Sequence, residues 1–282
     1  MSRIAYVNGR FLPFGQALVH IEDRGYQFAD GVYEVMALAG GRILDEVRHL
    51  DRLDRSLAEL AIAWPMSRRA LALVMRRLIE CNRLRNGLLY LQVTRGVARR
   101  DHAFPPHIRP SLTMTVRNAR TSSAALAETG VRIITLPDIR WRRCDIKSIA
   151  LLPNVLGKQA ARLAGVHEAW MVDGDGLITE GTSTNAWMVT GDGKLVTRQA
   201  DTSILNGVTR MTVLDLARSL GLEVAERPFG VAEAKAAAEI FLTSTTSYVL
   251  PVVAIDGHSI GDGRPGPLTL RLRRAYIERM GL

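Results

Sequence analysis

Four residues of this 282-residue chain carry a primary amine on the side chain: Lys147, Lys158, Lys194 and Lys235. The other 33 of its 37 cationic side chains are arginines, whose guanidinium stays protonated and serves poorly as a nucleophile. Chemistry that needs an amine therefore has four candidates. Lys194 lies in a Gly-Asp-Gly-Lys turn between two strand patterns, and Lys235 lies in an alanine-rich stretch that reads as an exposed position on a short helix. Lys158 falls in PNVLGKQAARLA. There Leu156, Ala160, Leu163 and Ala164 form the apolar face, and Lys158, at about 100° per residue, is expected to point the other way into water. Lys147 differs, because Ile146 precedes it and Ser148-Ile149-Ala150-Leu151-Leu152 follows. Apolar surroundings drive the proton off an amine, which is the state a Schiff-base lysine needs. The same position suits a lysine that snorkels its head group to water. The residues alone leave both readings open.

Three segments have the composition of an anion site. Leu205-Asn206-Gly207-Val208-Thr209 passes from a turn into a helix pattern, where free N–H groups meet the positive end of the helix dipole. Thr243 to Ser247 places five hydroxyls in a row after an apolar strand, and Glu180-Gly181-Thr182-Ser183-Thr184-Asn185 repeats the arrangement behind a carboxylate. Each is also an ordinary hydroxyl-rich turn. Three of them beside one lysine in an apolar run point to a phosphorylated cofactor held by an amine. Other chemistries fall away. Asp173-Gly174-Asp175-Gly176 opens like a calcium loop but lacks the later acidic ligands, and reads as a hairpin turn. His102 and His107 lie in a Pro-rich loop with no cysteine nearby, which gives no zinc site. Cys81 and Cys144 are too distant in sequence for a metal knuckle. No G-x-S-x-G or Walker pattern occurs.

The elements that position these groups follow from periodicity. Asn8-Gly9 between residues 3–7 and 10–14 signals a hairpin, and a second is expected with strands at 32–39 and 42–45 around Gly40-Gly41. Leu50, Leu53, Leu57, Leu60 and Trp64 mark an amphipathic helix that Pro65 closes. Arg52 lies off that stripe. Ser67 is the expected N-cap of a helix reaching about residue 84. Strands are expected at 88–94, 111–116, 132–136, 168–172, 185–190, 239–243 and 249–255, and helices at 153–164, 209–220 and 268–280. The small, polar stretch 118–130 reads as a linker. The expected organisation is α+β in two domains: a smaller one over 1–117, the linker 118–130, and a larger cofactor-binding domain over 131–282. No apolar run reaches the ~18–20 residues of a membrane span, and no signal peptide is evident, so a cytoplasmic location without membrane partners is expected. The net charge of +9 leaves a nucleic-acid partner as a competing reading, but the arginines are scattered, with only Trp141 as an aromatic among the densest clusters.

Six segments carry a family likeness: EDRGYQFADGVYEV (22–35), RHLDRL (48–53), RWRRCDIKS (140–148), EGTSTN (180–185), ILNGVTR (204–210) and FLTSTTS (241–247). In order and spacing they resemble the class IV, fold-type IV aminotransferases that use pyridoxal 5'-phosphate, and among these the D-amino acid transaminases. The resemblance runs from about residue 5 to about residue 275. It implies Lys147 as the Schiff-base lysine and catalytic amine. It also implies Glu180 as the partner of the pyridine nitrogen, and Arg52 as a phosphate-binding arginine, which its place off the Leu50/Leu53/Leu57 stripe leaves free to reach a ligand. Val208, Thr209, Ser244 and Thr245 would complete the phosphate cradle, and Leu205 would pack near the cofactor ring. Tyr33, Arg100 and His102 resemble the trap for the substrate carboxylate, with spacing favouring Arg100 over Arg99. In the family this loop reaches across a homodimer interface, so the neighbouring subunit would complete the site. The partners implied are a small D-amino acid such as D-alanine and a 2-oxo acid, 2-oxoglutarate. Tyr248 departs from the acidic residue expected there, which concerns the side-chain pocket rather than the chemistry. An aminodeoxychorismate lyase, a branched-chain L-aminotransferase and an (R)-amine transaminase share the fold; the Arg-x-His pair argues against all three.

Overall fold

Asn8 and Gly9, both at positive φ (45° and 92°), close a tight hairpin between β1 (Ile4–Val7) and β2 (Arg10–Pro13). The structure, a computed structural model, describes residues 3–118 and 123–282. It divides into two units: Met1–Arg120 with Ile146–Ala150, and Thr121–Asp145 with Leu151–Leu282.

In the first unit, α1 (Arg24–Phe28) leads into β3 (Gly31–Ala39), which turns at Gly40-Gly41 into β4 (Arg42–Ile43). Two helices follow, α2 (Glu46–Glu59) and α3 (Arg68–Cys81), then β5 (Gly87–Thr94) and β6 (Ser111–Arg117). The strands form one antiparallel sheet in the order β2-β1-β6-β5-β3-β4. Alternation decides what each face of β3 does. Val32, Met36 and Leu38 point into a core with Leu53 and Leu57 of α2, Leu71, Met75 and Leu78 of α3, and Leu89, Leu91 and Val93 of β5. Each such side chain, fully buried, contributes about 1.5–3 kcal/mol. Ser67 caps α3 as expected, its Oγ accepting from the Ala70 N–H at 3.3 Å. Helix α2 does not run to Pro65. It ends at Glu59, where Ala61 turns left-handed (φ 49°) and the Ile62 N–H returns to the Leu57 carbonyl at 2.9 Å. Trp64 lies beyond the helix and donates from Nε1 to Asp54 at 2.6 Å.

One short segment from far along the chain belongs to this unit. Ile146–Ala150 lies along the start of β3: the Tyr33 N–H donates to the Lys147 carbonyl and the Ile149 N–H to the Gly31 carbonyl, both at 3.0 Å. Gly31 permits this, since a Cβ there would meet the Val93 carbonyl at 2.7 Å and Ile149 at 3.0 Å.

The second unit begins with α4 (Ser123–Thr129), which occupies the second half of the stretch expected to be a linker; residues 119–122 lie outside the described residues. After β7 (Val131–Pro137) and α5 (Leu152–Leu163) come β8 (Glu168–Val172), β9 (Ile178–Gly181), β10 (Asn185–Val189) and β11 (Leu195–Thr197). Then follow α6 (Val208–Ser219), β12 (Val224–Glu226), α7 (Val231–Lys235), β13 (Glu239–Ser244), β14 (Tyr248–Ile255), β15 (His258–Ser259) and α8 (Pro267–Met280). The sheet order is β12-β11-β10-β13-β14-β7-β8-β9, with β15 paired to β14, and β7 runs parallel to both its neighbours. Trp170, Ile178, Met188, Phe229 and Leu242 fill its core.

Helix α5 corrects the expected apolar face. Its buried residues are the small ones, Gly157 and Ala161, with Gly157 close against Thr182. Leu152, Val155, Leu156 and Leu163 are instead 54–78% exposed. The arginine excess is in part internal. Arg24, Arg52, Arg95, Arg198, Arg210 and Arg273 are buried and bond to acids or carbonyls. Among the described residues no helix is long and apolar enough to cross a membrane.

Candidate active site

Lys147 is half-buried, with Ile146 and Ser148 buried on either side. Its Nζ stands 4.2 Å from the centroid of the Tyr33 ring. A cation over a phenol face is favourable, and the contact aims the amine at the face of β3 opposite its core residues. Tyr33 is in turn stacked on Tyr90 of β5 at 5.7 Å. Burial, with Tyr33 beside it, pushes the Tyr90 hydroxyl up to about 12, and it donates to Gln92 at 2.7 Å. Tyr90 is held neutral. The other three lysines have partners: Lys158 donates to the His167 carbonyl at 2.6 Å, Lys194 pairs with Glu223, and Lys235 lies 3.3 Å from Asp256.

The next residue along β3, Glu34, faces the core side and is fully buried. It holds Arg52, whose Nε and Nη2 donate to its two carboxylate oxygens at 2.8 Å each, and it accepts His49 Nδ1 at 2.7 Å. Arg52 is therefore not the free arginine expected from the helix pattern: it is buried in a bidentate ion pair that orients it. Burial works against the charge on Glu34, but Arg52 and His49 outweigh it and lower its pKa to about 2. Burial also lowers the pKa of His49. An acid between Val32 and Met36 on a core-facing strand position was the available signal for this cluster.

Arg100 and His102 lie in the long connection between β5 and β6, both exposed. They converge on one ring, with Arg100 Cζ 4.5 Å from the Phe28 centroid and the His102 ring centroid 5.4 Å from it. Among the described residues neither side chain has an acidic partner. A guanidinium and an imidazole side by side without a counter-ion make a receptor for a carboxylate.

In the second unit Glu180, at the end of the sheet in β9, is the centre of a buried network. Its carboxylate pairs with Arg140, accepts the Leu205 N–H on both oxygens at 3.2 Å, and accepts Asn185 Nδ2 at 3.1 Å. Asn185 also donates to the Leu205 carbonyl at 2.9 Å, which places Leu205 beside the carboxylate. Gly207 comes so close to Asn185 Oδ1 that a Cβ would collide with it. Arg140 further donates to Asp138 at 2.7 Å, Thr179 at 3.2 Å and the Ser203 carbonyl at 3.0 Å. Burial works against its charge, but Glu180 and Asp138 hold its pKa above the ordinary value. Arg140→Lys keeps the charge and loses the fork. It is expected to lower stability by about 1–3 kcal/mol, read from chemical denaturation.

Just after Leu205, α6 starts at Gly207 with no side-chain cap, although Val208, Thr209 and Arg210 are all buried. Buried N–H groups at a helix start need an acceptor. The Ser244 to Ser247 turn adds hydroxyls, with Ser244 Oγ accepting the Ser247 N–H at 3.0 Å and lying 3.2 Å from Thr246 Oγ1. This donor set suits a phosphate. Tyr248 stacks on Tyr276 of α8 at 5.5 Å, and Arg273 donates to the carbonyls on either side of it. Burial, with Glu180 among the nearby acids, pushes the Cys144 thiol up to about 12 against the pull of Arg140, which disfavours the thiolate. Arg140, Asn185, Glu34 and His49 carry these clusters yet were not legible as site residues. Arg140 read as part of a basic run.

A profile of the family described as Amino-transferase class IV matches residues 31–255. The chain belongs to the class IV aminotransferases: it is a pyridoxal-phosphate-dependent aminotransferase of fold type IV. Over 268 residues it is 43% identical to the D-alanine aminotransferase of Bacillus licheniformis, covering 95% of this chain and 94% of that one. Against the D-alanine aminotransferase of Staphylococcus aureus strain N315 the identity is 37% over 272 residues, covering 96% and 95%. Among solved structures, the branched-chain amino acid aminotransferase of Escherichia coli superposes with a TM-score of 0.92, covering 99% of this chain and 95% of that one at 24% identity. The branched-chain aminotransferase of Thermoproteus uzoniensis, solved with norvaline, gives 0.86 at 23% identity, covering 98% and 94%. At that identity these neighbours share the fold alone.

Proposed function

We propose that this chain is a D-amino acid transaminase that moves the amino group of D-alanine, or a similar D-amino acid, to 2-oxoglutarate. The observation that carries the reading is the pairing of Arg100 and His102 around Phe28 without an acidic partner. It fits the relatives named D-alanine aminotransferase.

The residues divide the labour. Lys147 is the amine that would link to the cofactor, and Arg52, oriented by Glu34, the arginine for its phosphate. Glu180, held by Arg140, Asn185 and the Leu205 N–H, is the carboxylate for the ring nitrogen. The amides of Val208 and Thr209 and the hydroxyls of Ser244 and Thr245 take the phosphate, and Leu205 packs near the ring. Bound pyridoxal phosphate supplies a protonated ring that accepts the electron pair left at the substrate Cα. Lys147 would take the proton from the substrate Cα and return it to the carbon that receives the amino group. Tyr33, Arg100 and His102 hold the substrate carboxylate, and that choice of anchor decides which Cα substituent faces Lys147.

We infer a homodimer in which the Arg100–His102 loop serves the neighbouring subunit. The outward Leu152, Val155, Leu156 and Leu163 of α5 support a covered face, since a stripe of large apolar side chains in water marks an interface. Cys81 and Cys144 are unpaired, in keeping with a cytoplasmic setting.

The test is the visible spectrum of the cofactor-saturated protein on adding D-alanine without an acceptor. Loss of the lysine-linked band and growth of the amine-form band is the expected result. A band that D-alanine leaves untouched, but L-leucine converts, would replace this reading with the branched-chain one. Arg100→Ala is expected to cut kcat/KM for D-alanine about 10–100-fold, the value of a charged hydrogen bond, while leaving cofactor affinity unchanged.

A further inference from the structure

The connection that carries Arg100 and His102 runs from Arg95 to Pro110, between the end of β5 and the start of β6, and contains no regular element. A loop of that length, left to itself, samples many conformations, and ordering it costs about 1–2 kcal/mol per residue in backbone entropy. Something must hold it if its two cationic side chains are to meet a carboxylate in one geometry.

Backbone bonds tie its start to residues 22–24, the Arg24 N–H to the Gly96 carbonyl at 2.9 Å and the Ala98 N–H to the Glu22 carbonyl at 3.3 Å, and the side chain that reaches the pair is on α1. Arg24 is 3% exposed, and its guanidinium is split between two duties. Nε donates to Asp30 at 2.8 Å, while Nη1 donates to the Asp101 carbonyl at 2.5 Å and Nη2 to the His102 carbonyl at 3.3 Å. Asp30 holds a second buried guanidinium, Arg95, through Nε at 2.7 Å and Nη2 at 2.9 Å. Arg95 lies with its Cζ 3.5 Å from the Phe104 ring centroid, and so grips the same loop further along. One carboxylate thus anchors two arginines that seize the loop at two points. Phe28, one helical turn from Arg24, receives the side chains: Arg24 at 4.9 Å, Arg100 at 4.5 Å and the His102 ring at 5.4 Å. Arg24 fixes the main chain at Asp101 and His102, and Phe28 lies against both side chains.

We propose that Arg24, anchored on Asp30, and Phe28 are positioning residues that pre-form the Arg100–His102 pair for the substrate carboxylate. The proposal rests on the reading of that pair as the carboxylate anchor. Arginine is required for the geometric reason that one planar fork reaches a carboxylate on one edge and two carbonyls on the other; an ammonium on a flexible stem cannot. Pre-formation lowers the ordering cost at binding, so its loss appears in substrate affinity more than in the chemical step.

The experiment measures steady-state kinetics with D-alanine, cofactor affinity, and the affinity for acetate read from the shift of the cofactor's absorption band. The holoenzymes compared are Arg24→Lys, Phe28→Leu, Arg100→Ala and the double variant Arg24→Lys/Arg100→Ala. Arg24→Lys and Phe28→Leu are each expected to raise KM and the acetate Kd about 10–100-fold, the scale of a 1 Å misplacement, with kcat within about twofold and cofactor affinity unchanged. The double variant is expected to be less than additive, because Arg24 acts in part through Arg100 and in part through His102. An unchanged KM, a joint fall of kcat and cofactor affinity, or additive effects in the double variant would overturn the proposal. If Arg24→Lys does not fold, Phe28→Leu decides by the same criteria. An Arg100→Ala enzyme with unchanged KM would instead remove the reading on which the proposal stands.

Discussion

Lys147→Ala is expected to bind cofactor without a covalent link and to lose transamination by at least about 10²–10⁴-fold, the contribution of a positioned base alone. The reason is local and physical. Of the four lysines, three spend their amines on Glu223, Asp256 or the His167 carbonyl. The Lys147 amine has no acidic partner among the described residues and stands over the face of Tyr33, which positions it without a hydrogen bond to a counter-ion. A cation–π contact of this kind is worth about 0.5–1 kcal/mol at an accessible site, small enough for the amine to leave it during the reaction. Borohydride reduction followed by peptide mass analysis provides the check. Wild type should carry the cofactor mass on the peptide containing Lys147, and the variant on none. A variant with full turnover, or an adduct on Lys158, would end the assignment. Added methylamine should restore part of the activity, because a small free amine can replace the lost base but not its positioning.

Much of the scaffold around Lys147 was legible because it rests on local rules. The Asn8-Gly9 turn, the Ser67 cap and the helices around residues 208–219 and 267–280 each follow from a spacing or a turn chemistry within a few residues. Lys147 stood apart among four amines by its apolar run, and the family resemblance supplied its role; its neighbour in the structure is a phenol on β3. What could not be read are pairings over distance. Glu34 and Arg52 are 18 residues apart, and Arg24 reaches carbonyls 77 and 78 residues away. No periodicity encodes such bonds. The apolar stripe of α5 shows the complementary limit. Leucines at helical spacing identify a face that avoids water, but not whether the chain's own sheet covers it; here Gly157 and Ala161 do the packing and the leucines face out. In the stretch 118–130, residues 123–129 form a helix packed against β14, which small residues suit as well as a linker.

Glu34→Gln is expected to destabilise the protein by about 3–5 kcal/mol, because it leaves the buried Arg52 guanidinium beside a neutral amide. Urea denaturation followed by circular dichroism measures this directly. The pH dependence gives an independent check, and its sign follows from the two groups. Glu34 has a pKa of about 2 in the folded chain against an ordinary 4.5. Below about pH 4.5 the unfolded chain takes up this proton first, so the stabilisation, on the order of 3 kcal/mol, is present above that pH and lost as pH falls toward 2. His49, buried and with its pKa lowered, acts in the same direction from a higher starting point. As pH drops through the ordinary histidine value, about 6.5, the unfolded chain gains a proton that the folded chain resists. Wild type should therefore lose stability in two stages on acidification, and Glu34→Gln should lack the lower stage. His49→Gln should lack the upper one. A Glu34→Gln protein as stable as wild type at pH 7, with both stages intact, would show that the carboxylate is not what holds Arg52. Where the variant folds, its affinity for inorganic phosphate and for the cofactor should fall together, since the arginine assigned to the phosphate has lost the bidentate partner that sets its direction.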